Sequence, residues 1–246
     1  MEQLKLNEKF VNIVYPIPGF SDPISSLSHL LGAGVFLVLS IFLLRHGWGK
    51  TWKFISLSIF CFSAIFMLSM SGVYHLLSPE GVARVVLQRL DHSAIFILIV
   101  GTMTPIHQIM FKGILRWGWL LLVWVIAITA ITLKSLFFTS FPEWLGLTLF
   151  LGLGWGGAVT GIVLWHKRNL AFIKLLLYGG VAYTVGAVLE FLKQPTLIGG
   201  ILGAHELFHF AVLIGLSFHW KFIYNIAQMN EHDIENVTDV TPEKVK

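Results

Sequence analysis

Charge is scarce in this sequence. Asp, Glu, Lys and Arg make up 12% of its 246 residues, whereas soluble domains carry about 25%. Hydrophobic residues reach 56%, and the mean hydropathy is +0.78. The formal net charge is +4, and the charges fall in short clusters between long apolar runs, as the ends of membrane spans require. A soluble globular domain is therefore excluded, nucleic-acid binding is not expected, and a membrane protein is predicted.

Cysteine is almost absent, since Cys61 is the single cysteine and lies inside an apolar run. One thiol cannot form an intramolecular disulfide, and zinc sites built on two or more cysteines are excluded as well. A metal ion would have to be bound by the ten histidines and by carboxylates, through imidazole nitrogen and carboxylate oxygen. The search for a site therefore narrows to these residues.

Seven apolar stretches are each long enough to cross a bilayer, which takes about 20 residues. Short separators rich in glycine, proline and charge join them, so neighbouring spans must run antiparallel. The predicted fold is an all-α integral membrane bundle of seven transmembrane helices. The predicted spans are approximately 27–45, 55–77, 91–111, 115–133, 144–165, 170–191 and 201–224.

The predicted organisation has three parts: an amino-terminal interfacial segment (1–24), the seven-helix transmembrane domain (25–225) and a polar disordered tail (226–246). The tail is charged and poor in aromatic residues, which disfavours a packed structure. Residues 78–89 alternate valines with polar residues and predict an interfacial amphipathic helix. The glycines of the fifth span predict close packing between helices, because small residues let backbones approach each other in lipid.

Ionisable residues at membrane depth are costly and therefore mark candidate functional sites. In an antiparallel bundle, a residue late in span 2 meets residues early in spans 3 and 7. This rule predicts that one membrane face gathers His29, His75, Asp91, His92, Glu190, His205 and His209. The remaining histidines fall toward the opposite face or in the tail.

His205 and His209 are four residues apart, so on a helix their imidazoles share one face and can bind one metal ion. With His75 they would supply three nitrogen ligands and leave a fourth position for water, as in a catalytic zinc site. Asp91 is predicted to hydrogen-bond that water or to orient a ligand. Ser71, one turn from His75, is predicted to hold the water or a substrate carbonyl.

Simpler structural roles remain open for several of these residues. An isolated histidine at the end of a span is more often an interfacial or hydrogen-bonded residue. His29 either caps the site or bonds a backbone carbonyl, and Ser71 can bond the carbonyl four residues earlier. Glu190 is expected to extend toward the lipid headgroups.

The segment His205-Glu206-Leu207-Phe208-His209 also fits the metalloprotease pattern H-E-x-x-H, in which the glutamate is the general base. Such proteases take their third ligand from downstream, and here the sequence before the tail offers only His219, more than two turns away. An intramembrane protease using Glu206 is therefore kept as a minor alternative.

Four motifs together resemble the hemolysin III family, the bacterial branch of the progestin and adiponectin receptor group, which is related to alkaline ceramidases. The resemblance covers about residues 20 to 225. The motifs are Ser71-Gly72-Val73-Tyr74-His75, Arg89-Leu90-Asp91-His92-Ser93, Gly101-Thr102-Met103-Thr104-Pro105 and His205-Glu206-Leu207-Phe208-His209.

The resemblance implies a seven-helix protein of the bacterial inner (cytoplasmic) membrane with zinc bound by His75, His205 and His209. It also implies that Asp91 holds the water on the zinc and that Ser71 stands near it. The expected function is a zinc-dependent hydrolase of a membrane lipid amide or ester, with Asp91 and Ser71 as catalytic residues.

The alternative is a non-enzymatic protein with a structural zinc, either receptor-like or active in membrane homeostasis or haemolysis. A fourth protein ligand, with His29 and Asp91 as the candidates, would favour that alternative.

Overall fold

The computed structural model describes residues 14–230 and residue 234, and within this part the chain forms seven α-helices and no β-strand. All seven are long and apolar enough to cross a membrane. The predicted all-α seven-helix bundle is therefore confirmed. The helices are α1 (Pro23–Arg45), α2 (Thr51–Leu76), α3 (Val82–Met110), α4 (Gly113–Leu136), α5 (Glu143–Lys167), α6 (Leu170–Leu192) and α7 (Ala204–Ala227).

The helix ends agree with the predicted spans to within four residues, except at the start of α3. Of the segment 78–89, for which an amphipathic helix is predicted, residues 82–89 are helical, but they form the first two turns of α3 and not a separate element. The chain has neither proline nor glycine between Gly81 and Gly101, so nothing breaks the helix where the amphipathic pattern passes into the apolar one.

The proposed division into three parts stays a prediction. Residues 1–13, and all but residues 226–230 and 234 of the predicted tail, lie outside the described residues.

Helix α3 lies at the centre of the bundle, with 78% of its most apolar 18 residues buried, against 17% in α5 and α6. Glycines set the closest approaches between neighbouring helices. A Cβ added at Gly101 would lie 2.7 Å from the Cβ of Ser63, and one added at Gly186 would lie 2.5 Å from that of Ala211. These contacts bring α3 against α2 and α6 against α7.

The fifth-span glycines share this role only in part. A Cβ at Gly157 would lie 3.2 Å from the Met103 side chain of α3, and one at Gly156 would lie 3.6 Å from the Trp119 side chain of α4. A Cβ at Gly152, Gly154 or Gly161 would meet no described atom within 4 Å. Gly154 and Gly161 instead form part of the wall of an internal cavity. Glycine composition alone does not distinguish a packed helix face from a cavity wall, and α5 contains both.

The segment before α1 is tied to the bundle by backbone hydrogen bonds. The amide of Tyr15 donates to the carbonyl of Gly200 at 2.8 Å, and the amide of Asp22 donates to that of His75 at 3.0 Å. The start of α1 is therefore held against the end of α2 and against the loop before α7.

Candidate metal centre

Three histidines from two distant helices converge on one point. The Nε2 atom of His205 lies 3.1 Å from that of His75 and 3.1 Å from that of His209. One nitrogen from each ring lies within 4.8 Å of the others. His75 and His209 are buried, and His205 is partly buried. The antiparallel arrangement thus brings together the end of α2 and the first turns of α7, as predicted.

Glu206 occupies a capping position at the start of α7. Its Oε2 accepts a hydrogen bond from the backbone amide of Gly203 at 2.8 Å, and its Oε1 accepts one from the Ser25 hydroxyl at 3.2 Å. The first amides of a helix lack intrahelical partners, so a glutamate here satisfies one of them. Glu206 fixes the helix turn that carries His205 and His209.

Asp22 contacts the far side of the His75 ring. Its Oδ2 lies 2.8 Å from Nδ1 of His75 and accepts a hydrogen bond from the guanidinium of Arg84 at 2.8 Å. Burial raises the pKa of the Asp22 carboxyl, but the hydrogen bonds from His75 and Arg84 and the positive charge of the Arg84 guanidinium outweigh burial and hold the pKa below 3.8. Asp22 is therefore a carboxylate at neutral pH.

Glu190 contacts His205 in the corresponding way. Its Oε2 lies 3.3 Å from Nδ1 of His205, and its Oε1 accepts a hydrogen bond from Lys193 at 2.7 Å. The sequence-based expectation that Glu190 extends toward the lipid headgroups is therefore wrong. The end of α6 packs beside the start of α7, and this turns the carboxylate toward the histidine.

His29 packs on His209 and does not join the cluster. The two rings stack with centroids 3.9 Å apart, and Nε2 of His29 lies 3.4 Å from the backbone carbonyl oxygen of His209. Of the two structural roles left open for His29, the backbone contact is the one found. Among the described residues, the potential metal-binding group contains His75, His205 and His209, and neither His29 nor Asp91.

The three histidines fit a metal ion by distance and by protonation. A tetrahedral ion bound at about 2.0–2.1 Å holds its ligand nitrogens about 3.3–3.4 Å apart, close to the observed 3.1 Å. Nδ1 of His75 must carry a proton to bond the Asp22 carboxylate, so in the neutral ring Nε2 presents a lone pair. Glu190 lies beside Nδ1 of His205 at ion-pair distance, 3.3 Å, and favours the same arrangement there. A bound cation would satisfy the Nε2 lone pairs that the rings direct toward each other.

Ser71 and Asp91 lie in the wall of the cavity that the histidines also line. Ser71 is buried, and the Asp91 carboxylate lies 3.7 Å from Nδ1 of its neighbour His92. Their predicted placement on the same face as the histidines stays a prediction, because the cavity reaches both halves of the bundle. Their catalytic roles stay predictions.

The cavity measures about 960 Å³, at the upper end of the range for small-molecule sites. It extends from the three histidines along α3, α5 and α6 to His107 and Thr160 in the other half of the bundle. At that end, Nε2 of His107 accepts a hydrogen bond from the Thr160 hydroxyl at 2.8 Å. Nδ1 of the same ring donates to the backbone carbonyl of Leu115. His107 therefore has the hydrogen-bonded role expected of an isolated histidine.

Sequence reasoning missed Asp22 and Arg84. Both lie outside the predicted spans. Asp22 is five residues before the first span, and Arg84 is in the segment assigned to the interface. The available signal was charge, because Asp22 is an acidic residue directly before a long apolar run. That Asp22 contacts His75 cannot be predicted from this signal, because the contact depends on the backbone hydrogen bonds that hold the start of α1 against the end of α2.

Comparison with known proteins gives a consistent result. Residues 20–220 match the model of a family described as Haemolysin-III related. A hemolysin-3 homolog from Bacillus subtilis (strain 168) is 28% identical over 193 residues, which cover 78% of this chain and 87% of that protein. Hemolysin-3 from Bacillus cereus is 29% identical over 166 residues, which cover 67% of this chain and 75% of that protein.

Proposed function

The chain belongs to the haemolysin III family and is a multi-pass integral membrane protein of a bacterial membrane, and we propose that it is a zinc-dependent hydrolase of a lipid amide or ester. The observation that carries this proposal is the position of the three histidines. They lie at one end of a cavity whose walls are largely apolar and lie within the membrane-spanning helices.

Zinc is proposed from the chemistry of the ligands. Three imidazole nitrogens and no thiolate suit a zinc ion with an open fourth position. The absence of His29 and Asp91 from the group that the described residues form supports an open site over a closed structural one. A bound zinc ion would polarise a substrate carbonyl and lower the pKa of a water molecule.

The proposed catalytic roles fall to Asp91 and Ser71. Asp91 acts as the general base and passes the proton to the leaving amine or alcohol. The Ser71 hydroxyl donates a hydrogen bond to the carbonyl oxygen as negative charge develops there. The supporting observation is that both line the cavity together with His75.

The proposed substrate class follows from the shape and lining of the cavity. Its volume of about 960 Å³ and the apolar residues that dominate its walls favour a long hydrocarbon chain. Its polar groups at the metal end, including Asp22, Asp91 and His92, favour an amide or ester at the head of that chain.

The first experiment measures zinc per chain in wild type and in the variants His205→Ala and His75→Ala. We expect about one zinc per chain in wild type and loss in both variants, because a site of three ligands does not survive removal of one. A folded wild-type protein without bound metal would contradict the proposal.

The second part of the test uses Asp91→Asn. This variant should keep its zinc while hydrolysis of a panel of long-chain amides and esters falls by about 100-fold or more. Zinc binding without hydrolysis of any panel member in the wild type would favour the alternative, a receptor-like or membrane-homeostasis protein with a structural zinc.

A further inference from the structure

Two carboxylates outside the ligand group each contact the far nitrogen of a different histidine. Asp22 lies against Nδ1 of His75 at 2.8 Å, and Glu190 lies against Nδ1 of His205 at 3.3 Å. The carboxylates come from opposite ends of the chain, from the residue before α1 and from the end of α6. A carboxylate thus faces the far side of two of the three rings, as a hydrogen bond at His75 and at ion-pair distance at His205.

Each contact determines which nitrogen is available to a metal ion. At His75 the contact is a hydrogen bond to a carboxylate, so Nδ1 carries the proton. At His205 the carboxylate lies at ion-pair distance and favours the same position of the proton. Nε2 is then left with its lone pair, directed at the point where the three rings meet. A carboxylate in this position also makes the imidazole a stronger donor to the metal.

The Asp22 side chain is itself held in place. Arg84 binds the same Oδ2 at 2.8 Å and also donates to the backbone carbonyl of Leu77. The backbone amide of Asp22 donates to the carbonyl of His75 at 3.0 Å. Backbone and side chain of Asp22 are therefore both fixed relative to the residue that they orient.

Glu190 is held by its own helix end. Lys193, three residues on, donates to Oε1 at 2.7 Å and leaves Oε2 toward His205. His209 has a different arrangement, since the His29 ring stacks on it and contacts its backbone carbonyl. The described structure thus gives carboxylate partners to His75 and His205.

We propose that Asp22 and Glu190 are positioning residues that orient His75 and His205 and raise the affinity of the site for its metal ion. This inference rests on the proposed function, because it requires that the three histidines bind a metal. Arg84 serves Asp22 by fixing the carboxylate in its orienting position.

The test compares Asp22→Asn and Glu190→Gln with wild type by competition against a chromophoric zinc chelator. Each variant removes one carboxylate charge at nearly constant volume, and each should raise the zinc dissociation constant by about 10- to 100-fold. Saturating zinc should still give the wild-type stoichiometry, because all three ligands remain. Glu80→Gln is the matched control, since it removes an exposed carboxylate from the loop between α2 and α3, and its dissociation constant should equal that of wild type.

A spectroscopic measurement separates orientation from general destabilisation. Cobalt(II) bound in place of zinc reports ligand geometry through its visible absorption bands. Asp22→Asn and Glu190→Gln should change the band positions or intensities of the fully loaded protein, whereas Glu80→Gln should not. A substitution that only loosened the fold would leave the spectrum of the loaded site unchanged.

The outcomes distinguish this inference from the proposed function. If wild type and both variants bind zinc with one dissociation constant and show one cobalt spectrum, the positioning role is overturned and the metal site stands. If the wild type binds no metal, the proposed function and the positioning role both fall. If Asp22→Asn does not fold, the zinc affinity and cobalt spectrum of Glu190→Gln test the positioning role. Its contacts lie at the end of α6, away from the start of α1 that Asp22 holds in place.

Discussion

Glu206 shows how one residue within a sequence motif can have a structural role instead of a catalytic one. Its two carboxylate oxygens are engaged by the Gly203 amide and the Ser25 hydroxyl. The first bond caps α7 itself, and the second joins the start of α7 to α1. The protease alternative would need this carboxylate free to act on a water molecule, so the geometry favours a helix cap.

Substitution of Glu206 tests that assignment. Glu206→Ala should lower the free energy of unfolding by about 1–3 kcal/mol, because the partly buried Gly203 amide and the buried Ser25 hydroxyl lose their acceptor. Glu206→Gln retains an oxygen that can accept from the Gly203 amide, so it should lower the free energy of unfolding by less. Denaturant titration in mixed micelles measures both effects.

Hydrolysis by Glu206→Gln is the second readout. We expect it to stay near the wild-type rate, since the proposed general base is Asp91. Complete loss of hydrolysis with zinc and fold intact would favour the protease alternative over the cap.

At the residue scale, the three histidines could be predicted because their spacing and the antiparallel order of the spans place them together. The roles of Asp22 and Glu190 could not. Asp22 precedes the first span, and its contact with His75 depends on backbone hydrogen bonds that no local pattern encodes. Glu190 lies at a helix end, where extension to the headgroups and contact with a neighbouring helix are equally compatible with the sequence.

Helices α2 and α3 approach each other closely at Gly101. The Ser63 hydroxyl occupies the space where a Cβ of residue 101 would lie, and it donates to the carbonyl of Ile59 at 2.5 Å. In lipid, helices associate mainly through such close packing. The relative position of α2 and α3 therefore depends on this glycine.

A methyl group at this position should separate the two helices. Gly101→Ala places its Cβ 2.7 Å from that of Ser63 and should lower stability by about 1–3 kcal/mol through overpacking. The matched control is Gly152→Ala in α5, where a Cβ meets no described atom within 4 Å. The control should be neutral or slightly stabilising, because alanine favours helix more than glycine does.

Thermal unfolding in detergent micelles compares the two alanine variants. Equal melting temperatures for Gly101→Ala and Gly152→Ala would contradict the close-packing role of Gly101. At the element scale, the helices could be predicted from the long apolar runs and from the short separators rich in glycine, proline and charge. The sequence could not assign each glycine to a helix contact or to the cavity wall, because a glycine in an apolar helix is compatible with either position.

The bundle as a whole combines a closely packed part with an open one. Helices α1, α2, α3 and α7 contribute most of the larger buried core, whereas α5 borders the cavity with glycines and alanine. A cavity of about 960 Å³ within membrane-spanning helices is expected to contain lipid. Its occupancy should therefore depend on the size of the side chains along α5.

A bulky side chain at Gly154 tests this expectation. Gly154 lines the cavity, whereas Gly152 does not, and a Cβ at either meets no described atom within 4 Å. Gly154→Phe should reduce the long-chain lipid that copurifies with the protein and slow hydrolysis of long-chain substrates more than short-chain ones. Zinc content should stay at the wild-type level, because the ligands are on α2 and α7.

Lipid extraction with mass spectrometry and a chain-length series measures these effects. Gly152→Phe is the matched control and should behave as wild type. Identical lipid content and chain-length preference in the two phenylalanine variants would show that the cavity does not hold the chain.

The two groups of ligands are 130 residues apart, since His75 ends α2 and His205 begins α7. During biosynthesis the spans enter the membrane in order, so a nascent chain that has inserted six of them still lacks two of the three imidazoles. If these residues bind a metal ion as proposed, the complete site forms only after α7 has inserted, and it joins the early and late parts of the chain. A filled site would then mark a molecule in which α7 has been made and its histidines have met His75.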